Sequence, residues 1–134
     1  MTMPLEVIIH HLAQAKSALS AARDQDITIR LRSAPGAAGY AGVGYLKALG
    51  DAVEHELLID CRDDAGLVMA ALRTGCRNLV FSGDPKDGQR LQQMAESVGA
   101  RLRRPTDPNS PRLTLSPDDD DKTIRSKLMA AQKR

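Results

Sequence analysis

The sequence predicts an α/β fold with four to five mostly parallel strands that alternate with helices. A short apolar run followed by a polar cluster and a helical stretch occurs four times, with the runs at residues 5–9, 27–31, 57–59 and 79–81. Strands alternating with helices are typical of βαβ units on a parallel sheet. Because parallel strands end at one edge, the polar residues that follow the runs predict a shared ligand-binding rim.

The strands differ in their polarity. Residues 7–9 and 57–59 are solidly apolar, as in a sheet covered on both faces. Residues 27–32 and 100–104 alternate between apolar and polar side chains, which predicts one polar face. We expect these two strands at a sheet edge, or one face of the sheet open. The whole arrangement would then be a half-barrel or a flavodoxin-like open sheet.

Helical spacing predicts helices near residues 11–23, 44–55, 65–74 and 85–98. Gly75 suits the position after the third helix, Asp63-Asp64 suits the cap before it, and Asp84 suits the cap before the fourth. The apolar stripes also predict that Tyr45, Met94 and Val98 face the sheet.

Bulk composition limits the classes of partner. The chain has 134 residues, 42% hydrophobic and 27% charged, with a net charge of +2, which predicts one ordinary globular domain. One Phe, two Tyr and no Trp, with so small a charge, argue against a nucleic-acid partner. Without an apolar stretch near the ~20 residues of a membrane span or a signal-peptide pattern, we expect a cytoplasmic protein with no membrane partner. Two cysteines make no disulfide framework.

Composition changes near residue 104, so we divide the chain into an α/β domain at 1–104 and a tail at 105–134. The tail contains a Pro-rich linker, an acidic run at 118–121 and a basic helical end at 122–134. Leu102 and residues 113–115 around the prolines suggest an antiparallel hairpin. Ile124, Leu128 and Met129 would give the last helix an apolar face that docks on something.

One stretch carries a family resemblance. It reads Ser33-Ala34-Pro35-Gly36-Ala37-Ala38-Gly39-Tyr40-Ala41-Gly42, followed by Tyr45-Leu46-Lys47-Ala48-Leu49. It resembles the second βα unit of class II, metal-dependent fructose- and tagatose-bisphosphate aldolases. Residues 57–61 and 70–83 look like the third strand of that family and its following helix, Gly turn and fourth strand, and residues 9–12 match the end of the first strand.

The resemblance implies shared ancestry or local structure over about residues 5–103. The catalytic Asp of the family has a counterpart in Asp60, whereas its first metal-ligand His falls on Cys61. An eight-stranded barrel needs about 250 residues, and the later metal ligands belong to units that this chain lacks. The resemblance therefore implies a degenerate metal site, and it does not imply aldolase activity.

Two residues are candidate catalytic groups. Asp60 can act as a general acid or base at the end of its strand, or it can simply pair with a nearby arginine. Cys61 can be a nucleophile or a zinc ligand, or an inert core thiol. We expect no metal site and no cofactor, with zinc as the alternative. The candidate ligand-binding residues at the rim are His10, His11, Arg32, Ser33, Gly36, Ser82, Gly83 and Asp84.

The leading functional hypothesis is a non-catalytic, aldolase-like domain that binds a small anion, such as a sugar phosphate, or a protein partner at the rim. One alternative is a small lyase or isomerase that uses Asp60. Another is a flavodoxin-like signalling module, which needs a phosphorylatable Asp. Because a half-barrel leaves sheet edges and its inner face unsatisfied, we also expect that the chain forms a homo-oligomer or that its own tail covers the open surface.

Overall fold

A computed structural model describes residues 4–105 and 111–132. The strands are β1 (Leu5–Ile9), β2 (Ile29–Ser33), β3 (Leu57–Asp60), β4 (Asn78–Val80), β5 (Arg101–Arg103) and β6 (Arg112–Thr114). The helices are α1 (Leu12–Asp24), α2 (Ala37–Tyr40), α3 (Val43–Ala52), α4 (Ala65–Thr74), α5 (Pro85–Ser97) and α6 (Asp121–Gln132). The predicted α/β class is confirmed.

All described strands belong to one parallel sheet with the order β5-β4-β3-β2-β1-β6. Strands β1 to β5 therefore lie side by side in chain order. Right-handed crossovers that always step in the same direction place their helices on the same face of the sheet. The sheet consequently has one face covered by helices and one face without them.

The core lies between the sheet and the helices. Val7, Leu31, Ile59 and Leu79 alternate along their strands with residues of the other face and are fully or almost fully buried. Helix α1 meets them with alanines, and Ala15, Ala18, Ala21 and Ala22 are all buried. Small side chains let this helix pack close to the strands, as the helical stripe predicted.

The other sheet face is polar. Along β2 it presents Arg30 and Arg32, and along β5 it presents Arg101 and Arg103, in alternation with the buried Leu31 and Leu102. This is the polar face that the strict alternation predicted. No helix covers this face, and the side chains of Arg30, Arg101 and Arg103 keep contact with water. Arg32 is buried there, as are the apolar residues of the same face, Ile8, Leu58 and Val80.

The predicted C-terminal hairpin is wrong. Strand β6 pairs in parallel with β1, at the opposite edge of the sheet from β5. The amide of Glu6 donates to the carbonyl of Pro111, and the amide of Leu115 donates to that of Ile8. The free edge of β1 supplied backbone partners that a local sequence pattern around the prolines does not reveal.

Helix α6 packs against α1 of its own chain. Ile124 and Leu128 are buried, whereas Met129 is 51% exposed. Arg125 donates to Asp24 at 2.7 Å across the two helices. The prediction that the C-terminal end docks is thus confirmed, and the tail extends the sheet and core of residues 4–105.

Helix ends follow the predicted capping residues. Asp64 accepts from the amide of Leu67, and Gly75 ends α4 in the left-handed conformation at φ 95°. The expectation that Tyr45, Met94 and Val98 face the sheet is wrong, because each is more than 40% exposed. The small residues beside them, such as Ala95, fill the inward positions instead. No helix in the described part of the chain is long and apolar enough to span a membrane.

Candidate functional site

The predicted rim exists at the carboxyl ends of β2, β3 and β4. The Ser33 hydroxyl accepts from the backbone amide of Asp60 at 3.0 Å. Arg62, two residues further on, accepts on its carbonyl from the amide of Ser82 at 2.6 Å. Three strand ends that are far apart in sequence are therefore joined by a chain of hydrogen bonds.

Asp60 is held in a buried charge network. Its Oδ2 accepts from Arg32 at 3.0 Å, and its Oδ1 accepts from the amide of Arg62 at 2.9 Å. The other guanidinium nitrogen of Arg32 donates to Glu6 at 3.0 Å. Because both carboxylate oxygens are engaged with protein donors, the geometry matches the pairing alternative for Asp60. Arg32, a predicted ligand-binding residue, has its charge committed to two carboxylates.

Cys61 lies on the core side of the rim. It is fully buried, and burial, followed by the negative charge of Asp60, raises its pKa to about 12. A thiol with this pKa stays protonated at neutral pH, whereas nucleophiles and metal ligands are thiolates. The structure therefore gives Cys61 the environment of an inert core thiol.

His10 and His11 contact the C-terminal tail. His10 Nε2 donates to the carbonyl of Leu115 at 2.7 Å, and His11 Nε2 donates to that of Pro117 at 3.1 Å. The buried Gln14 adds a bond to the carbonyl of Ser116 at 2.7 Å. The histidines predicted to bind a ligand instead hold the segment between β6 and α6. Gln14 was missed because a polar residue within a helical stripe gives no sign of its distant partner.

The remaining rim residues shape the loops. Gly36 has φ 84° and precedes the short helix α2, and a Cβ at this position would lie 3.7 Å from the guanidinium of Arg62. Asp84 caps α5 by accepting from the amide of Lys86 at 2.7 Å. Gly83 lies over the Phe81 ring, and its carbonyl accepts from Arg104 at 2.7 Å. Ser82, Gly83 and Asp84 thus form a turn into a helix, in which the amide of Ser82, the carbonyl of Gly83 and the carboxylate of Asp84 each have a partner in the protein.

We call the polar sheet face the arginine face, because three of its arginine side chains form no direct contact with a polar group of the described residues. Arg30, Arg101 and Arg103 make no side-chain hydrogen bond or ion pair with any residue that the structure describes. Asn78 lies on the same face, in register with Arg101. It is only 8% exposed, and its side-chain amide also has no partner within residues 4–105 and 111–132. Sequence reasoning missed this set, although the alternation in β2 and β5 was its signal.

The arginines of this face act on one another electrostatically. The pKa of Arg103 is lowered by burial and, next, by the positive charges of Arg30 and Arg101, while Glu6 and Glu56 oppose the change. Arg103 is on the edge strand β5 and Arg30 on β2, so the face brings charges from separated strands within electrostatic range. This arrangement concentrates positive charge.

The described residues contain no group of three or more His, Cys, Asp or Glu side chains that could hold a metal ion. Asp60 and Cys61 are neighbours, but the nearby histidines are directed to the tail. The residues proposed for zinc are therefore not assembled into a ligand set.

Comparisons with known proteins identify no family. No family model and no curated protein matches the chain. Among solved structures, it is similar to a response regulator receiver domain from Rhodospirillum rubrum, at 16% identity and a TM-score of 0.33. That alignment covers 95% of this chain and 90% of the other. A likeness at this level assigns no activity to the chain.

Proposed function

We propose that this chain is a non-catalytic α/β domain that binds a small multivalent anion, such as a phosphorylated metabolite, on the arginine face. The observation that carries the proposal is the group of Arg30, Arg101 and Arg103, none of which forms a direct ion pair with a described residue, although Glu6 and Glu56 act on Arg103 electrostatically. We keep the predicted anionic ligand but move its site from the loops of the rim to the adjoining sheet face.

Electrostatics favours an anion at this position. Like charges within range of one another disfavour the protonated form of Arg103, which is also partly desolvated. A bound anion would oppose both effects. Guanidinium groups match phosphate geometry with two parallel hydrogen bonds, so arginines suit a phosphorylated ligand better than lysines would.

Asn78 gives the site a neutral hydrogen-bonding group. Buried side-chain amides in proteins nearly always have partners. Its neighbour in register is Arg101, so an anion bound by this arginine would lie within reach of the amide. We propose that Asn78 orients the ligand while the arginines supply the attraction.

The non-catalytic part of the proposal rests on Asp60 and Cys61. Asp60 accepts from Arg32 and from a backbone amide, and the pKa of Cys61 is raised to about 12. Neither group has the freedom that a general base or nucleophile needs. We keep the shared ancestry with class II aldolases as a proposal.

Calorimetric titration with inorganic pyrophosphate tests the function. We expect binding to weaken about tenfold in Arg103→Ala and in Arg30→Ala, since a charge-assisted hydrogen bond contributes roughly 1.5–3 kcal/mol. Asn78→Ala should weaken binding less. Arg90→Ala, an exposed arginine on α5, is the matched control and should bind as the natural protein does. Absence of binding, or an equal loss in Arg90→Ala, would refute the anion site.

The same protein tests the alternatives. A lyase or isomerase would turn over small carbonyl compounds and lose this activity in Asp60→Asn. A signalling module would gain a phosphoryl group on Asp60 after incubation with acetyl phosphate, visible by mass spectrometry. Either result would replace the proposed function.

We also propose self-association through the sheet edges at β5 and β6, which have no outer partner among the described strands. Light scattering gives the mass in solution. A mass of 14.5 kDa, that of one chain, would refute this proposal.

A further inference from the structure

A cavity of about 600 Å³ lies at the opposite end of the sheet from the rim. It is bounded by the last turn of α3, the residues leading into β3 and the turn between α4 and β4. Its volume is within the roughly 300–1,000 Å³ of small-molecule sites. Apolar contacts come from Leu46, Leu57 and Ile59. Sequence reasoning looked for a site only where strands end, so it missed this one.

The charged groups of the cavity favour a cation. Lys47 is neutralised by Asp51, which accepts its ammonium at 2.8 Å. The guanidinium of Arg77 donates to the carbonyl of Val98 and is thereby directed to the end of α5. Glu54 is exposed at the cavity and has no hydrogen bond or ion pair with a described residue. The positive groups are thus occupied and a carboxylate is not.

Two helices add to the negative potential. Helix α3 ends at Ala52 and α4 at Thr74, and both C-termini border the cavity. The C-terminal end of a helix carries a partial negative charge of about half an electron, which stabilises nearby cations. The parallel topology places these ends together, at the strand starts, so the attraction is a property of the fold and adds to that of Glu54.

Cys76 on the cavity wall is compatible with such a ligand. Burial raises the pKa of its thiol, while Lys47 lowers it and Asp51 raises it. The thiol is 5% exposed and neutral, so it adds polarisable contact area without charge. The cavity therefore combines an apolar wall with a negative end.

We infer that this cavity binds a small organic cation, an ammonium group on an apolar body, with the ammonium group at Glu54. Asn78 borders both this cavity and the arginine face, but the inference depends on Glu54 and does not rest on the proposed function. The inference depends on two interactions, an ion pair with Glu54 and apolar contact with the cavity wall. A probe molecule that lacks one of them tests that interaction by itself.

The test uses the three histidines as reporters in NMR spectra of the intact protein. His55 is on the cavity wall, and its Nδ1 donates to the carbonyl of Glu56 at 2.8 Å. His10 and His11 lie at the other end of the sheet and serve as internal controls. Titration with 2-phenylethylamine should shift the ring resonances of His55 alone.

The variants isolate the carboxylate. Glu54→Gln should weaken phenylethylamine binding about threefold to fivefold, the upper part of the range for an exposed ion pair. Glu96→Gln, exposed on α5, should leave it unchanged. Glu56 is less suitable because it also acts on Arg103. The neutral 2-phenylethanol should bind more weakly than the amine.

Three outcomes would overturn the inference: no shift of His55 at millimolar amine, equal binding of the alcohol, or unchanged binding in Glu54→Gln. These results leave the anion site untouched, because pyrophosphate binding is measured at the arginine face. Conversely, loss of the anion site would not alter the response of His55 to the amine.

Discussion

Arg32 Nη2 lies 3.0 Å from Asp60 Oδ2, and both side chains are close to fully buried. The same guanidinium also contacts Glu6, 3.0 Å away on the neighbouring strand. One cation thus joins β1, β2 and β3 on the sheet face that no helix covers. Such a network is expensive to desolvate, and removing its centre leaves charges unpaired.

Replacement of Arg32 by methionine should destabilise the fold strongly. Asp60 would remain buried without its counter-ion, which typically costs about 3–5 kcal/mol, whereas Glu6 would keep Arg112, 3.5 Å away. Urea denaturation measures the change in the free energy of unfolding. Arg90→Met on the exposed face of α5 is the control and should change it by less than about 0.5 kcal/mol. A loss of similar size in both variants would show that the network contributes nothing specific.

The stability of the protein should fall in alkaline solution because of Cys61. The folded state retains the thiol proton up to pH about 12, whereas the ordinary pKa is 9.0. Between these values the unfolded chain releases a proton that the folded chain keeps, so stability decreases as pH rises. The expected slope is about 1.4 kcal/mol per pH unit.

Urea titrations between pH 9 and pH 11 measure that slope. Cys61→Ala should remove this component, while Cys76→Ala should keep it and lose only the separate contribution of Cys76, whose pKa is also raised by burial. An identical slope in Cys61→Ala and the natural protein would contradict the assignment.

Gly83 should tolerate no side chain. A Cβ there would overlap the buried Phe81 ring, with Cε1 3.0 Å and Cε2 3.1 Å away. Arg104 stacks on this ring at 5.5 Å, so the ring has little room to move. We expect Gly83→Ala to cost about 1–3 kcal/mol, as overpacking does.

Gly44 provides the matched comparison in thermal unfolding. Nothing lies within 4 Å of a Cβ built at Gly44, and alanine is a better helix former by about 1 kcal/mol. Gly44→Ala should therefore raise the melting temperature or leave it unchanged. If both variants behaved alike, the contact with Phe81 would not limit residue 83.

The docking of α6 should depend on Leu128. This side chain is fully buried against the core, and Leu→Ala substitutions at such positions cost about 2–5 kcal/mol. Met129→Ala, at a half-exposed position one residue away, should cost less than about 0.5 kcal/mol. Urea denaturation compares the two. Equal, small effects would mean that the C-terminal helix adds little to the fold.

Local patterns determined much of the fold. The four apolar runs predicted strands β1 to β4, because strands of a parallel sheet are largely buried, and the alternation at residues 100–104 predicted β5. Residues 5–9 are strand β1 as predicted, and residues 65–74 are helix α4, ended by Gly75. The alternation in β2 and β5 identified the polar face. These features depend on side chains near in sequence, so one chain is enough to recognise them.

The partners of the strands and side chains depended on tertiary structure. The strand pattern at residues 112–114 does not indicate which sheet edge the strand joins. Backbone N–H and C=O groups are the same in nearly all residues, so they do not select a particular neighbour. The sequence position of His10 and His11 suggested that they bind a ligand. In the folded chain their rings hydrogen-bond to tail carbonyls more than 100 residues away in sequence. The choice between a free and a paired Asp60 likewise depended on the position of Arg32.

The sequence by itself thus determined that strands and helices alternate, which face of each strand is apolar, and where the helices end. Only the tertiary structure decided that Arg30, Arg101 and Arg103 share a face and that α3 and α4 end at one cavity. The physical reason is the distance along the chain over which each effect acts. Propensity and periodicity act over a few residues, whereas a binding site is made by groups that only the folded chain brings together.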